Sequence, residues 1–185
     1  MLGPPGTYTV KLTVDGKDYT QPLRVLKDPH SNGTEGDIQI QTKLMTSISE
    51  TMNQAVDAVN EIELLRAQLS EVKSALSTDE NAADIGTATG QLSGRLAEIE
   101  EDLIQSRGNG VGFSPKLVQR IGYLAAEVEG GDFQPTTQQV AVYSEFKAQA
   151  AIHRQRLTLL EKEVAAFNGL LRQRNIPNVV GNNNP

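Results

Sequence analysis

The chain has 185 residues, a net charge of −6, and a composition that is 38% hydrophobic and 4% aromatic, with no Trp and no Cys. That length holds one domain and part of a second, and the acidic balance argues against nucleic acid, whose phosphates need clustered Lys and Arg. The missing Cys excludes disulfides and thiolate metal sites, and no apolar run approaches the ~18 residues that span a bilayer.

Residues 7–26 read as a β-hairpin. Tyr8, Val10, Leu12 and Val14 alternate onto one face, and Asp15-Gly16 is a two-residue turn signal because both positions tolerate positive φ. The second strand, Lys17 to Leu26, carries Tyr19 and contains Pro22, which suits an edge or a bulge. A lone hairpin is marginal in water, so it has to pack on something.

Lys27 to Glu35 is turn-rich. Asp28, Asn32 and Gly33 fall where a calcium loop places its first, fifth and sixth residues, but the third position is His30 and the twelfth is Gln39, where a bidentate Glu belongs, so no metal is assigned. Asn32-Gly33-Thr34 matches a glycosylation sequon, a pattern common by chance.

A first helix is expected from Asp37 to Leu76, with a seam of Met45, Ile48, Met52, Ala55, Val59, Ile62, Leu65, Leu69, Val72 and Leu76. Asp37 near its start suits the positive end of the helix dipole. After a polar break at Ser77 to Asp84, a second helix over 85–105 turns Ala88, Leu92, Leu96, Ile99 and Leu103 inward. Gly86, Gly90 and Gly94 recur at steps of four, which predicts close approach of a neighbouring helix, and Glu98, Glu100, Glu101 and Asp102 read as a solvated face.

Gly108 to Gly112 reads as a flexible loop. It is not a phosphate cradle, because no strand precedes it and no Lys-Ser/Thr follows. Ser114-Pro115 predicts the cap and first position of a third helix whose Leu117, Ile121, Leu124 and Val128 face inward, ended by Gly130-Gly131. The last helix runs from Thr136 to Arg174, with Thr136 and Thr137 as cap candidates. Tyr143, Phe146, Ala150, His153, Leu157, Leu160, Val164, Phe167 and Leu171 alternate along it at steps of three and four. At 1.5 Å per residue it would be roughly 57 Å long. Ile176 to Val180 is a short extended apolar segment before a disordered GNNNP tail.

The expected fold is therefore mainly α: an elongated antiparallel helical bundle, with two long and two shorter helices and an N-terminal β-hairpin. Its divisions are hairpin 1–27, linker 28–36, bundle 37–175 and extended tail 176–185. In an up-down-up-down bundle the two long helices pair antiparallel. Ile176 to Val180 then lies beside Tyr8, Val10, Leu12 and Tyr19.

Chemistry is less legible. His30 and His153 are the only imidazoles, and His153 sits on the apolar seam as a packing residue. Arg154, Arg156, Arg172 and Arg174 form a basic side that could meet acidic neighbours. No nucleophile elbow, His-Glu-x-x-His or Ser-x-x-Lys motif is present, and no two carboxylates are placed across a cleft. No catalytic, cofactor-binding or metal residue is assigned.

GTYTVKLTVDGKDYTQPLRVLKDP resembles the closing hairpin of the Ig-like module near the end of large bacterial BNR-repeat proteins, sortilin-like β-propellers to which glycosyl hydrolase activity is often ascribed. SPKLVQRIGYLAAEVEGGDFQPTTQQVAVYSEF and VAAFNGLLRQRNIPNVV look like the helical tail that follows in the same proteins. The resemblance implies a secreted or envelope location and a propeller upstream, which would hold any glycosidase residues; none can be carried onto this chain. MLGPPGTYTV lacks the basic and apolar regions of a signal peptide, so the chain as written would stay in the cytoplasm if Met1 is its natural start. Two strands out of the roughly seven of an Ig-like sandwich make Met1 an expected internal methionine. The function expected is a non-catalytic structural or interaction module whose partner is protein, either that upstream part or another copy. The rivals are a self-assembling coiled-coil or filament subunit and an enzyme with its site between helices.

Overall fold

The structure is a computed structural model that describes residues 3–77, 82–105 and 114–181. Among the described residues the elements are strands β1 (Gly6–Val14) and β2 (Lys17–Val25), then helices α1 (Glu35–Ala75), α2 (Ala83–Leu103), α3 (Leu117–Glu129) and α4 (Thr137–Gln173). The chain is thus mainly helical, with four helices and an N-terminal antiparallel hairpin, as the periodicity predicts. The Gly108–Gly112 loop and residues 182–185 of the tail lie outside the described residues.

The chain divides into two compact units: Met1–Glu50 with Tyr123–Tyr143, and Thr51–Gly122 with Ser144–Pro185. In the first unit the hairpin keeps an unbroken register from Gly6↔Val25 to Val14↔Lys17. Asp15 and Gly16 both take positive φ, 48° and 75°, the turn whose twist matches that of the strands it joins. Gly33 is buried with the backbone of Asp132 against it, so close that a Cβ would overlap the Asp132 carbonyl oxygen; only glycine fits.

Both long helices begin in a reciprocal cap. The Asp37 N–H donates to Thr34 Oγ1 over 3.1 Å while Thr34 N–H donates to the Asp37 carboxylate over 2.9 Å. Thr136 and Gln139 repeat the exchange at the start of α4. Each cap satisfies N–H groups that the first turn leaves unpaired. The Thr34 contacts hold the Asp37 carboxyl below its ordinary range. α3 starts later than Ser114-Pro115 predicts. Its first turn closes from Arg120 N–H to the Lys116 carbonyl, which leaves the proline outside the helix.

Within the first unit Ile38, Met45 and Ile48 of α1 are buried, as are Leu124, Val128 and Tyr143, and the Tyr143 hydroxyl donates to the Ser47 carbonyl over 3.0 Å. In the second unit the seams meet expectation closely. Val59, Ile62, Leu65, Leu69 and Val72 are buried, as are Leu157, Leu160, Val164, Phe167 and Leu171; Met52 and His153 are half-buried. On α2, Ile85 and Thr89 take the buried places beside Leu92, and Ala88 is half-buried.

The direction of pairing departs from expectation. In the second unit Asp84 pairs with Arg174, Arg95 with Glu163 and Asp102 with Arg156, while Arg120 of α3 lies over Phe146. Numbers fall on one side as they rise on the other, so α2 and the start of α3 follow each other antiparallel to α4. Against α1 the order is the same on both sides. Ala55 and Ala58 share a cavity wall with Ala151 and Arg154, Glu61 pairs with Arg154, Leu65 borders a cavity with Val164 and Ala165, and Gln68 reaches Val180. α1 and α4 are therefore parallel here, because α2 and α3 together make one returning arm. The end of α4 emerges beside the end of α1, and residues 176–179 border a cavity with Gln68, Glu71, Val72 and Ala75.

The glycine stripe is a second correction. A Cβ at Gly86, Gly90 or Gly94 would meet nothing within 4 Å, so no helix among the described residues approaches closely there.

Candidate functional site

Register fixes what the hairpin presents. Cross-strand partners share a face, so Tyr8 with Leu23, Val10 with Gln21, and Leu12 with Tyr19 lie together. Tyr8, Val10, Leu12, Val14, Tyr19 and Leu23 remain 37% to 60% exposed. The opposite face is polar: Lys11 pairs with Asp18 at 2.8 Å and Thr13 donates to Asp18 over 2.7 Å. Lys11 first and Thr13 second pull the Asp18 carboxyl below its ordinary range. A ribbon with one stitched polar face and one open apolar face is amphipathic without being buried.

Its edges differ too. Val14 and Lys17 flank the two-residue turn and form a hydrogen-bonded pair, so even-numbered β1 residues bond inward and odd-numbered ones outward. Thr7, Thr9, Lys11 and Thr13 thus offer an uninterrupted row of outward N–H and C=O groups. On the β2 edge Pro22 stands in that row and has no N–H. β1 is the open edge.

Where the ribbon meets α1, a cleft of about 610 Å³ lies between Pro4, Pro5, Tyr8, Leu23 and Leu26 on one side and Ile38, Gln41 and Met45 on the other. The buried Gln41 amide donates to the Val128 carbonyl over 2.6 Å and also to that of Gly131. Lys27 borders the cleft, with its ammonium on the carbonyls of Asp28 and Ser31, and Asp28 Oδ1 accepts from the His30 N–H over 2.8 Å. One of the oxygens a calcium loop would turn inward, Asp28 Oδ1, thus bonds within the turn itself. Among the described residues no three His, Cys, Asp or Glu side chains gather to hold a metal.

The remaining sequence candidates lie in the second unit. His153 is half-buried, with Nδ1 3.9 Å from Asp102 and 3.4 Å from Arg156. Burial pushes its pKa below the ordinary value, against the pull of Asp102 and with the help of Arg156. The acidic cluster is not all solvated: Glu100 is buried against Arg66, and Asp102 pairs with Arg156 at 2.7 Å. Arg154 bridges Glu61 at 2.7 Å and Glu161 at 2.6 Å. Burial and the nearby Glu61 charge push Glu161 above its ordinary range. Of the four arginines singled out, Arg154, Arg156 and Arg174 thus meet carboxylates on neighbouring helices. These groups tie helices together, and His153 and Arg154 also border a cavity of about 390 Å³ with Gln54, Gln155 and Thr158.

Sequence reasoning missed Gln41 and read Glu100 as solvated where it is buried. The available signal was a polar residue at core spacing: Gln41 lies three residues after Ile38 and four before Met45, and Glu100 follows Ile99 on a buried stretch. No helix among the described residues is long and apolar enough to cross a membrane. Comparison with protein families, with curated proteins and with solved structures finds no match.

Proposed function

We propose that this chain is a non-catalytic structural and interaction module that attaches through its β1–β2 hairpin to a β-rich protein part. By the resemblance above, that part is the Ig-like region of a large secreted BNR-repeat propeller protein, with this module at its C-terminal end. The observation that carries the reading is the hairpin: an open apolar face joined to an open β1 edge. Such a combination suits a sheet that continues onto further strands and a second layer that covers it. The test starts with the DNA upstream of the Met1 codon. If it encodes strands and a propeller in frame, that segment is added in trans and hydrogen exchange is followed at residues 7–14. Protection there supports the reading; an in-frame stop just before Met1 removes the propeller part, and unchanged exchange removes the attachment.

Self-assembly is the second reading, favoured by the register β1 can make with itself. Antiparallel pairing centred on Val10 puts Thr9 opposite Lys11, Thr7 opposite Thr13 and Tyr8 beside Leu12, so the apolar face continues across copies without like charges opposed. Area weighs against it. A two-stranded ribbon of this length covers roughly 30 by 10 Å, about 600 Å² in total for two faces, half the least that stable interfaces bury. Solution mass over a hundredfold concentration range decides: a constant monomer mass sinks self-assembly.

A further inference from the structure

Beyond the end of α4, Val179 is buried to 1% exposure in a segment that belongs to no helix or strand. Its backbone is held by a side-chain amide. Asn168 Nδ2 donates to the Val179 carbonyl over 2.7 Å, and the Val179 N–H donates to Asn168 Oδ1 over 2.8 Å. Gln68 repeats the exchange at the next residue: its Nε2 donates to the Val180 carbonyl over 2.8 Å, and the Val180 N–H donates back to Oε1 over 2.8 Å. Each amide presents a donor and an acceptor side by side, which is what a neighbouring strand presents in a sheet. In an extended chain the polar groups of successive residues point to opposite sides. That is why one amide comes from α4 and the other from α1, with the segment between them.

Recognition of this kind reads backbone, not sequence. The one side chain it selects is the residue that enters the core, where Val179 lies against Glu61, Leu65, Val164 and Asn168 around a residual cavity of about 310 Å³. Pro177, Asn178 and Val180 stay exposed. Release of the segment therefore uncovers Val179, the half-buried Ile176 and two amides, and unwinds no helix.

We propose that Gln68 and Asn168 form an exchangeable backbone clamp, a groove for an extended peptide carrying one small branched aliphatic residue. In this state residues 176–181 occupy it as an internal ligand, and an extended segment of the same chemistry from another polypeptide takes their place. The proposal uses no hairpin residue, so it stands or fails separately from the attachment proposed above.

The test is fluorescence anisotropy with a labelled synthetic peptide of residues 174–181, RNIPNVVG, titrated onto the full chain. Val179→Asp empties the groove, and should bind the peptide at least tenfold more tightly than wild type, whose groove is filled. Adding Asn168→Ala to that variant should weaken binding at least fivefold, and a peptide with Asp in place of Val179 should not bind. Val180→Pro, which removes the N–H that Gln68 accepts without charging the core, gives the same comparison if Val179→Asp loses helical circular dichroism. Absence of saturable binding to a folded released variant, or binding indifferent to Asn168→Ala, overturns the proposal.

Discussion

The side-chain amide of Gln41, on α1, donates to the backbone carbonyl of Val128 in the last turn of α3 at 2.6 Å. The last carbonyls of a helix have no partner within it, and Gln41 is itself buried. Gln41→Leu should leave the Val128 acceptor dry and without that partner, at a cost of about 1–3 kcal/mol for a buried orphan. A urea midpoint that does not move would show that water reaches that carbonyl.

The two seams were legible because apolar residues at steps of three and four can bury only one way, and Val59 to Val72 and Leu157 to Leu171 do so. The direction of pairing was not legible. A seam says that a helix packs, but not against which neighbour or in which sense, and Ser114-Pro115 read as a fresh start instead of a continuation of one arm. The glycine stripe misled because spacing cannot separate close approach from open surface. The hairpin register followed from Asp15-Gly16, since the turn type sets it. Nothing in the pattern marked Gln68 and Asn168, two polar residues among many on helix flanks, as holding the tail.

Leu160→Ala tests the α4 seam. Leu160 is 2% exposed, and truncation of such a side chain should cost about 2–5 kcal/mol, by lost transfer energy and the cavity left behind. The control is its neighbour Leu159, which is 53% exposed; its truncation should stay within about 0.5 kcal/mol. Equal effects in a denaturant titration would mean that the seam is not the core.

Glycine substitutions should split by place. Gly90 and Gly94 are helical, exposed and clear of any atom within 4 Å of an added Cβ, so Gly→Ala at either should stabilise by about 0.5–1 kcal/mol. Gly33→Ala should do the reverse, because its Cβ would overlap Asp132 backbone. Thermal midpoints rising at 90 and 94 and falling at 33 check the three together; a fall at 90 or 94 would restore the close helix approach that the spacing suggested.

Stability should also fall as acid reaches His153. Burial holds its pKa below the ordinary 6.5, outweighing Asp102, while Arg156 acts in the same direction as burial. A depressed pKa means the folded state binds the proton less readily than the unfolded one. The contribution is complete above 6.5 and is lost as pH falls through the folded value. Glu161 has the opposite sign. Burial first and the Glu61 charge second raise it above its ordinary 4.5, so its protonation favours the folded state as pH falls towards that ordinary value. The His153 contribution to the urea midpoint should therefore decline between pH 7.5 and pH 5.5, about one unit either side of an unperturbed His. His153→Leu should hold or raise stability at pH 7, since it replaces a half-buried imidazole by packing, and should flatten that decline. A decline unchanged in the variant would place the titrating group elsewhere; a variant destabilised at neutral pH would make the Asp102–His153–Arg156 contact a working part of the α2–α4 interface.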